Sequence, residues 1–426
     1  MRTPELLLPA GGLDKMRAAY DFGADAVYAG QPRYSLRARN NEFKLQQLEQ
    51  GIQEAKSRGK KLFVTSNLLA HNDKVRTYLR DIEPVLALKP DALIMADPGL
   101  IMQVKERWPD VAVHLSVQAN TTNAAAVKFW QRAGVTRIIL SRELSLDEIE
   151  AIRHECPDME LEVFVHGALC IAYSGRCYLS GYFNRRDPNQ GTCTNACRWG
   201  YVTHGADADP NTGDAVARAA IPIQVDAEHD SDHASTYIMN SKDLRAVQHV
   251  ARLARMGIDS LKVEGRTKSR YYVARTAQVY RRAIDDAVAG RPFNPDLLGE
   301  LDGLANRGYT PGLLEPQRMD GYQNYATGYS VSQRSQFVAE VLGTDGQAEA
   351  GLSGDWLQVE TKNHFAVGDT LEVVHPGGNL TMRLDAMRNT QGQPVDVAQG
   401  SPVRVWLPLP ARYTGALLAK VLTAAG

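Results

Sequence analysis

Short apolar runs alternate with amphipathic stretches along the first two-thirds of the chain. Eight apolar runs are rich in Leu or β-branched residues, which is typical of parallel strands buried on both faces; they span 5–9, 24–30, 61–67, 92–98, 112–118, 137–143, 161–167 and 260–265. Helical spacing marks intervening stretches such as 45–58, 74–86, 124–133 and 146–154. This alternation predicts a parallel sheet, and eight repeats predict an α/β fold, a TIM-like (β/α)8 barrel.

An open, doubly wound sheet is the alternative architecture, but the Gly-x-Gly-x-x-Gly loop that often follows an early strand of such sheets is absent. A ninth strand-like run at 236–241 is interpreted as an extra strand or as part of an insertion after the seventh strand. The preceding segment, 205–235, holds seven Asp or Glu residues and one Arg without a helical period, which indicates a variable surface insertion.

The pattern changes after residue 290. From about residue 330, short β-type runs at 337–342, 356–361, 370–375, 381–387 and 403–407 are separated by turn signals such as Pro-Gly-Gly-Asn at 376–379. We therefore predict a catalytic barrel over 1–290, a connecting segment over 291–329 and a small C-terminal antiparallel β-barrel domain over 330–412.

Composition narrows the class of protein. The 426 residues include 48 Lys or Arg and 49 Asp or Glu, a net charge of −1, so bulk basicity does not argue for a nucleic-acid partner. No apolar run approaches the roughly 18 residues of a membrane helix, and the N-terminal residues lack the long apolar core of a secretory signal. We expect a cytoplasmic protein with no membrane partner.

Four of the five cysteines lie close together, directly after the seventh predicted strand. Their spacing is Cys170-x6-Cys177-x15-Cys193-x3-Cys197, within a predicted loop over 168–200. Four thiolates suit an iron–sulfur cluster or a tetrahedral zinc. Structural zinc sites usually contain two tight pairs and here only one pair is tight, so the spacing favours a cluster, with zinc or unliganded thiols as alternatives. Cys156 is interpreted as a lone structural thiol.

Polar residues end several predicted strands, where a barrel would direct them into one mouth. Those residues are Asn67, Asp97, Gln118, Asn120, Arg142, Glu143, His166, Lys262, Glu264 and Arg266. Because arginine recognises carboxylate and phosphate groups, Arg37 and Arg39 of the loop after the second strand, with Arg142 and Arg266, suggest an anionic ligand. The candidate catalytic residues are His166, Glu264 and Arg142, and the candidate substrate-binding residues are Arg37, Arg39, Lys262 and Arg266; a core histidine and structural ion pairs are the alternative interpretations.

One stretch of the neutral chain is basic. Residues 262–282 hold seven Lys or Arg and one acid, with Tyr271, Tyr272 and Tyr280 interleaved. Such a helix can neutralise phosphates and stack on exposed bases, which predicts a contact with RNA. The alternative is an outer barrel helix with a solvated face.

Residues 162–180, Glu-Val-Phe-Val-His-Gly-Ala-Leu-Cys-Ile-Ala-Tyr-Ser-Gly-Arg-Cys-Tyr-Leu-Ser, resemble the signature of the collagenase-like peptidase family. Residues 5–11 and 23–30 resemble the N-terminal part of the same family. Further similar stretches at 31–37, 187–198, 237–244 and 263–268 extend the resemblance from residue 5 to about residue 410.

The resemblance is strongest to a branch of prephenate-dependent tRNA hydroxylases. It implies a TIM-like barrel with a C-terminal β-barrel domain, and oxygen-independent 5-hydroxylation of a wobble uridine in the tRNA anticodon loop with prephenate as co-substrate. In related hydroxylases four cysteines hold a [4Fe-4S] cluster, and the matching positions here are Cys170, Cys177, Cys193 and Cys197. Prephenate is a dicarboxylate, which suits the predicted arginines, and an electron-donor protein is a further partner to consider.

Three other functions stay open. A paralogous hydroxylase of ribosomal RNA or of a quinone precursor would share the fold and the cluster. A peptidase, the family's older label, is disfavoured because the sequence has neither a Gly-x-Ser-x-Gly elbow nor a His-Glu-x-x-His helix. The third is a non-enzymatic RNA-binding protein with a structural metal.

Overall fold

A barrel of parallel strands forms the first part of the chain in the computed structural model, and an antiparallel sheet forms the last part. The structure describes residues 2–31, 33–36, 43–202, 235–315, 321–332, 334–400 and 402–422. The strands as far as residue 310 are β1 (Glu5–Ala10), β2 (Ala26–Gly30), β3 (Lys61–Ser66), β4 (Ala92–Met95), β5 (Val113–Leu115), β6 (Arg137–Ile139), β7 (Glu160–Ala168), β8 (Tyr201–Val202), β9 (Ser235–Thr236), β10 (Asp243–Arg245), β11 (Ser260–Val263) and β12 (Tyr309–Thr310).

Helices follow most barrel strands. They are α1 (Leu13–Asp21), α2 (Leu45–Ser57), α3 (Asn72–Ala87), α4 (Pro98–Arg107), α5 (Ala124–Arg132), α6 (Leu146–Glu155), α7 (Leu179–Asn184), α8 (Val250–Arg255), α9 (Arg270–Val288) and α10 (Asp296–Asp302). Within the described ranges, no helix has the length and apolar character that a membrane span requires.

Strand pairing closes the barrel. Strands β1 to β7 pair in chain order, and β11 pairs in parallel with both β7 and β1, so every barrel strand has two neighbours. Every residue of β2 and β4 is buried, as expected for strands covered by helices outside and by side chains inside. The predicted (β/α)8 barrel is confirmed.

Several predicted strands are longer than the observed ones, and in two of them the chain turns into a helix at the end. The run 92–98 ends as β4 at Met95, since Pro98 starts α4 and the Asp97 carboxylate caps that helix by accepting from the Leu100 N–H at 3.0 Å. The run 112–118 gives the shorter β5, followed by a 3-10 turn at Val117–Ala119.

The chain between β7 and β11 leaves the barrel. Strands β8 and β9 pair only with each other, while β10 runs antiparallel beside the end of β7 and pairs in parallel with β12. The predicted ninth strand therefore belongs to the insertion, with Thr236 as its one residue in a strand. Nearly all of the segment 205–235 lies outside the described residues.

Paired charges occupy part of the barrel interior. The Arg137 guanidinium lies 2.6 Å from Glu5 and 3.2 Å from Glu162, and the Lys262 ammonium donates to Glu162 at 2.7 Å. Arg137, Glu162 and Lys262 are buried, and burial is the largest cause of the lowered pKa of Lys262. Buried charges are tolerated when paired, so these contacts belong to the barrel's structure. They give no support to the prediction that Lys262 binds substrate at the mouth.

Helix α9 does not present the RNA-binding face predicted from 262–282. The helix packs between the barrel and the C-terminal sheet, so its three tyrosines, Tyr271, Tyr272 and Tyr280, are at most 5% exposed. Its arginines are paired with acids of other elements: Arg270 with Glu340, Arg275 with Glu300 and Glu372, Arg281 with Asp25, and Arg282 with Glu300. The prediction was wrong because the tyrosine rings are buried in the fold and the arginines are paired with acids of other elements.

The C-terminal strands are β13 (Ser335–Gly343), β14 (Leu357–Thr361), β15 (Phe365–Ala366), β16 (Thr370–Val374), β17 (Leu380–Arg383), β18 (Val397–Ala398), β19 (Arg404–Leu407) and β20 (Leu417–Val421). Six form an antiparallel sheet in the order β17-β16-β20-β13-β14-β19, and β15 pairs with β18. In the described residues no ladder joins the two outer strands, so the sheet is antiparallel as predicted without closing into a barrel. Strand β20 lies beyond the predicted end at 412 and pairs centrally, with β13 and β16.

The C-terminal sheet packs directly on the barrel. Val374, Leu417 and Ala419 belong to the same continuous apolar core as the barrel residues. Tyr271 of α9 stacks on Phe337, with ring centroids 5.1 Å apart. The sheet therefore joins the barrel core through these residues, while its other buried side chains, such as Val338, Leu357 and Leu407, form a second apolar core.

Candidate functional site

The segment 169–200, here called the cysteine loop, folds back over the carboxyl ends of the barrel strands. The N–H of Ser174 donates to the Glu143 carboxylate at 3.1 Å. Gly175 has a left-handed φ of +76° and lies so close to the Gln118 carbonyl that a Cβ there would overlap it. Gln118 and Glu143 follow β5 and β6, so both contacts place the loop on the barrel mouth.

A second set of contacts holds the far part of the cysteine loop. The Gln190 side chain donates to the Leu69 carbonyl and accepts from the Lys74 ammonium at 2.8 Å. Within the loop, the Asn189 amide donates to the Cys177 carbonyl at 2.9 Å. The loop is thus anchored at separate points around the mouth, after β3 and after β5 and β6.

The four clustered thiols are free, and Cys177 and Cys197 each lie within electrostatic reach of Cys170 and Cys193. Burial raises the pKa of the Cys177 thiol, and charge at Cys170 and Cys193 raises it further. Burial is also the largest cause that raises the pKa of Cys197 to about 11, followed by charge at Cys170. Four cysteine sulfurs are the donors that iron–sulfur clusters and tetrahedral zinc take, so the chemistry of this donor set fits a metal centre.

One sulfur already accepts a backbone hydrogen bond. The N–H of Asn195, a residue in the left-handed region at φ 57°, points to the Cys193 sulfur at 3.4 Å. Such bonds are typical of liganded thiolates. Across the described residues, no group of three or more His, Cys, Asp or Glu side chains stands at metal-binding spacing. The thiols are gathered in one loop without forming a complete ligand set.

Cys156 is separate from this set. It caps the C-terminal end of α6 and is 5% exposed, with its sulfur 3.7 Å from the Ala124 carbonyl oxygen. Burial raises its pKa, which keeps the thiol protonated and unreactive at neutral pH. These contacts agree with the prediction of a lone structural thiol.

Two of the four predicted mouth arginines are described. Arg266 is buried and donates to the Ser35 hydroxyl at 2.6 Å, to the Thr65 hydroxyl at 3.0 Å and to the Leu36 carbonyl. It therefore holds the start of the loop after β2. Arg37 and Arg39, in the same loop, lie outside the described residues.

Arg142 lies under the start of the cysteine loop. Its guanidinium donates to the Ala168 carbonyl at 3.0 Å and stacks over Phe164, 3.9 Å from the ring centroid. Its Nε is buried and has no hydrogen-bond partner in the described structure. Arg142 thus keeps one donor available beside the loop that carries the thiols.

His166 is a core residue rather than a group open to the mouth. It is 1% exposed and surrounded by the rings of Tyr272, Tyr280 and Tyr309, with centroids 5.4 to 5.7 Å away. Burial, with the positive charge of Lys268 and Arg245, lowers its pKa to about 3. A general base works best with a pKa near the operating pH, so these contacts favour the core interpretation over a catalytic one.

Glu264 keeps an available carboxylate at the mouth. It follows β11 and is half-buried, and its backbone is fixed by a 2.8 Å hydrogen bond from the Tyr272 hydroxyl to its carbonyl. Among the described residues, no hydrogen bond or ion pair engages its carboxylate. Within the described structure, Glu264 therefore keeps its carboxylate free for a ligand.

The remaining polar strand ends mainly hold the mouth together. Asp97 caps α4, while the Asn67 oxygen accepts from the Leu36 N–H at 3.2 Å. Asn120 donates to the Ser141 hydroxyl at 2.8 Å. These side chains position the loops around the site.

Sequence reasoning missed Tyr309 and Arg245, which complete the surroundings of His166. Arg245 stacks over Tyr309 at 4.6 Å, and Tyr309 comes from the stretch predicted as a connection. Arg245 gave no local signal, because β10 reads Asp-Leu-Arg and contains no apolar run. Tyr309 gave none, because its strand is two residues long.

The sequence matches known proteins over nearly its whole length. The profile of peptidase family U32 matches residues 11–324, and that of the peptidase family U32 C-terminal domain matches residues 333–419. The chain is 55% identical to tRNA hydroxylation protein P of Escherichia coli (strain K12), over 96% of this chain and 94% of that protein. It is 52% identical to tRNA hydroxylation protein P of Haemophilus influenzae, over 96% of this chain and 93% of that protein.

A more distant relative acts on another RNA. The chain is 30% identical to the 23S rRNA 5-hydroxycytidine C2501 synthase of Escherichia coli (strain K12), over 87% of this chain but 52% of that protein. The resemblance inferred from the residues around the cysteines is therefore confirmed by both profiles and by full-length relatives. The chain belongs to peptidase family U32 and carries the C-terminal domain of that family.

Proposed function

We propose that this protein hydroxylates tRNA, converting a wobble uridine of the anticodon loop to 5-hydroxyuridine without molecular oxygen. The observation that carries the proposal is the cysteine loop, seated on the barrel mouth by Ser174 and Gly175. TIM-barrel enzymes place their chemistry at this end of the barrel. The high identity to tRNA hydroxylation protein P supports tRNA as the substrate.

Cys170, Cys177, Cys193 and Cys197 would hold a [4Fe-4S] cluster, and zinc is the alternative occupant. Bound there, a cluster supplies one-electron redox chemistry beside the mouth. The gathering of four free thiols in one loop and the Asn195 N–H on the Cys193 sulfur support a cofactor in this loop.

Replacing the C5 hydrogen of uracil by hydroxyl is a two-electron oxidation, for which prephenate is the proposed source of the hydroxyl or of the oxidising equivalent. The two carboxylates of prephenate would be bound by Arg142, whose Nε has no hydrogen-bond partner in the described structure, and by Arg37 and Arg39. Arg37 and Arg39 belong to the loop whose start Arg266 holds. The Glu264 carboxylate would accept the proton that leaves C5. Unstacking a base from a single-stranded loop costs little free energy, so the base can enter the mouth of the barrel.

Mass spectrometry of tRNA tests this function. A strain that lacks the gene should lose 5-hydroxyuridine and its derivatives. The wild-type gene should restore them, Cys170→Ala and Glu264→Gln should not, and Cys156→Ser is the matched control that should. Restoration by Cys170→Ala would contradict the role of the thiols, and modification of ribosomal RNA or a quinone instead of tRNA would identify a paralogous activity.

Purification without oxygen tests the cofactor. We expect iron and acid-labile sulfide in near fourfold ratio to protein, together with a brown chromophore, as a [4Fe-4S] cluster requires. Stoichiometric zinc without a chromophore would overturn this part. Cleavage of denatured collagen that is unaffected by loss of all four thiols would instead favour the peptidase label.

A further inference from the structure

The cysteine loop carries large side chains that point away from the core. Their exposed fractions run from 42% to 74%, and the residues are Ile171, Tyr173, Tyr178, Tyr182, Phe183 and Trp199. Neighbouring exposed aromatic residues on a folded chain generally mark a contact surface. The thiol chemistry proposed above uses none of these side chains.

Four of the rings in and beside the loop form a connected group. The centroids of Tyr182 and Phe183 are 5.3 Å apart, and Phe183 lies 6.0 Å from Trp199 and 5.8 Å from Tyr201. Tyr178 lies at the start of α7, and Tyr182 lies one turn later within that helix. We call Tyr178, Tyr182, Phe183 and Trp199 the aromatic surface.

The charges beside this surface are positive. Arg176, Arg185 and Arg186 are exposed, and no ion pair engages them within the described residues. The cysteine loop contains one acid, Asp187, and its carboxylate caps the turn at Pro188–Gln190. The combination of exposed rings with unpaired arginines suits a polyanion that carries flat apolar groups.

We propose that the aromatic surface and its flanking arginines bind unpaired nucleotides of the RNA substrate next to the base that enters the barrel mouth. The inference rests on the proposed function for the identity of the substrate. Bases in single strands stack on aromatic side chains, while arginines neutralise the phosphates between them. A protein partner would need complementary acids instead, and it is one outcome of the test. Helix α9 cannot supply this contact, because its rings are buried and its arginines are paired.

Binding of a labelled anticodon stem-loop RNA to the full-length protein, purified without oxygen, tests the surface. We expect Tyr182→Ala/Trp199→Ala to weaken binding about tenfold or more, as loss of base stacking does. Tyr182→Phe/Trp199→Phe keeps the rings and should bind nearly as tightly as wild type. Phe129→Ala is the matched control, because Phe129 is 61% exposed on α5 outside the cysteine loop. Iron content and thermal unfolding confirm that each variant is folded and loaded.

The arginines give an independent readout. Each of Arg185→Gln and Arg186→Gln should lower the slope of log Kd against log salt by about 0.7, the value for one phosphate contact on a single strand. Trp199 fluorescence, isolated by comparison with Trp199→Phe, should be quenched by the stem-loop and not by a duplex of the same stem.

Wild-type affinity in Tyr182→Ala/Trp199→Ala would overturn the inference. So would intact RNA binding with lost hydroxylation in that variant, which would indicate a protein partner or a catalytic role for the surface. The proposed function would survive both results, because the modification in cells still depends on the wild-type protein. Conversely, unchanged tRNA in the deletion strain, with RNA binding that requires the rings, would refute the proposed function and leave the RNA surface standing.

Discussion

At the scale of single residues, the barrel interior depends on charges that must stay paired. Glu162 accepts from Lys262 at 2.7 Å and from Arg137 at 3.2 Å, and all three side chains are buried. Removing one partner leaves an uncompensated charge, whereas replacing a pair by apolar groups of similar volume is often nearly neutral.

We therefore expect Glu162→Ala to lower the free energy of unfolding by about 3–5 kcal/mol. Glu162→Leu/Lys262→Met should lose much less, because the double variant leaves no unpaired ammonium. Urea unfolding measures both. Equal losses in the two variants would show that packing, and not charge pairing, explains the effect.

The buried His166 makes stability depend on pH. Its folded-state pKa is about 3 because burial disfavours the imidazolium, whereas an unfolded histidine has a pKa of about 6.5. As pH falls below about 6.5 the unfolded chain binds this proton first, so stability falls by up to ~1.4 kcal/mol per pH unit until pH approaches 3.

His166→Gln should remove this contribution and flatten stability against pH between pH 6 and pH 4. Urea unfolding of the variant and wild type over that range measures the difference in slope. The exposed His154→Gln is the control and should keep the wild-type slope. A slope unchanged in His166→Gln would contradict the lowered pKa.

At the scale of elements, one tight contact seats the cysteine loop on the barrel. Gly175 adopts φ +76° and lies against the Gln118 carbonyl, so any Cβ at that position must push the loop away. Gly346 has a similar φ of +82° in the C-terminal domain, with open space around its Cα.

Gly175→Ala should reduce retention of the proposed iron–sulfur cluster and make the cysteine loop more sensitive to proteolysis. Gly346→Ala carries a similar backbone cost, about 1 kcal/mol, without the clash, so it should keep wild-type iron content. Iron assays and limited proteolysis compare the two variants. Equal behaviour would mean that backbone strain alone, and not the seat on Gln118, controls the loop.

At the scale of the whole molecule, helix α9 joins the barrel to the C-terminal sheet. Arg275 is 1% exposed and contacts Glu300 at 3.1 Å and Glu372 at 2.5 Å, and Val374, Leu417 and Ala419 of the sheet join the apolar core of the barrel. Domains joined by a buried apolar interface unfold together, while domains with small polar interfaces move independently.

Calorimetry of the wild type should therefore show one unfolding transition for barrel and sheet. Glu372→Ala leaves Arg275 with one buried partner and should separate an earlier transition of the sheet from that of the barrel. The exposed Glu349→Ala is the control and should keep a single transition. Two transitions in the wild type, unaffected by Glu372→Ala, would contradict this coupling through the interface.

The sequence by itself determined the alternation of strands and helices, the closed barrel and the antiparallel C-terminal sheet, because hydrophobic periodicity reports which faces are buried. It also grouped the four cysteines, since they are neighbours along the chain. The same local pattern could not reveal that the rings of α9 are buried and its arginines paired with acids of other elements. Nor could it reveal that Tyr309, from a distant segment, packs against His166.

Only the tertiary structure decided which polar groups stay available. The side chains of Arg266 and Lys262 form hydrogen bonds and ion pairs within the protein. The Glu264 carboxylate and the aromatic surface of the cysteine loop remain open to a ligand. The physical reason is that pairing and burial depend on residues far apart in the chain, such as Lys262 and Glu162, which no local spacing brings together.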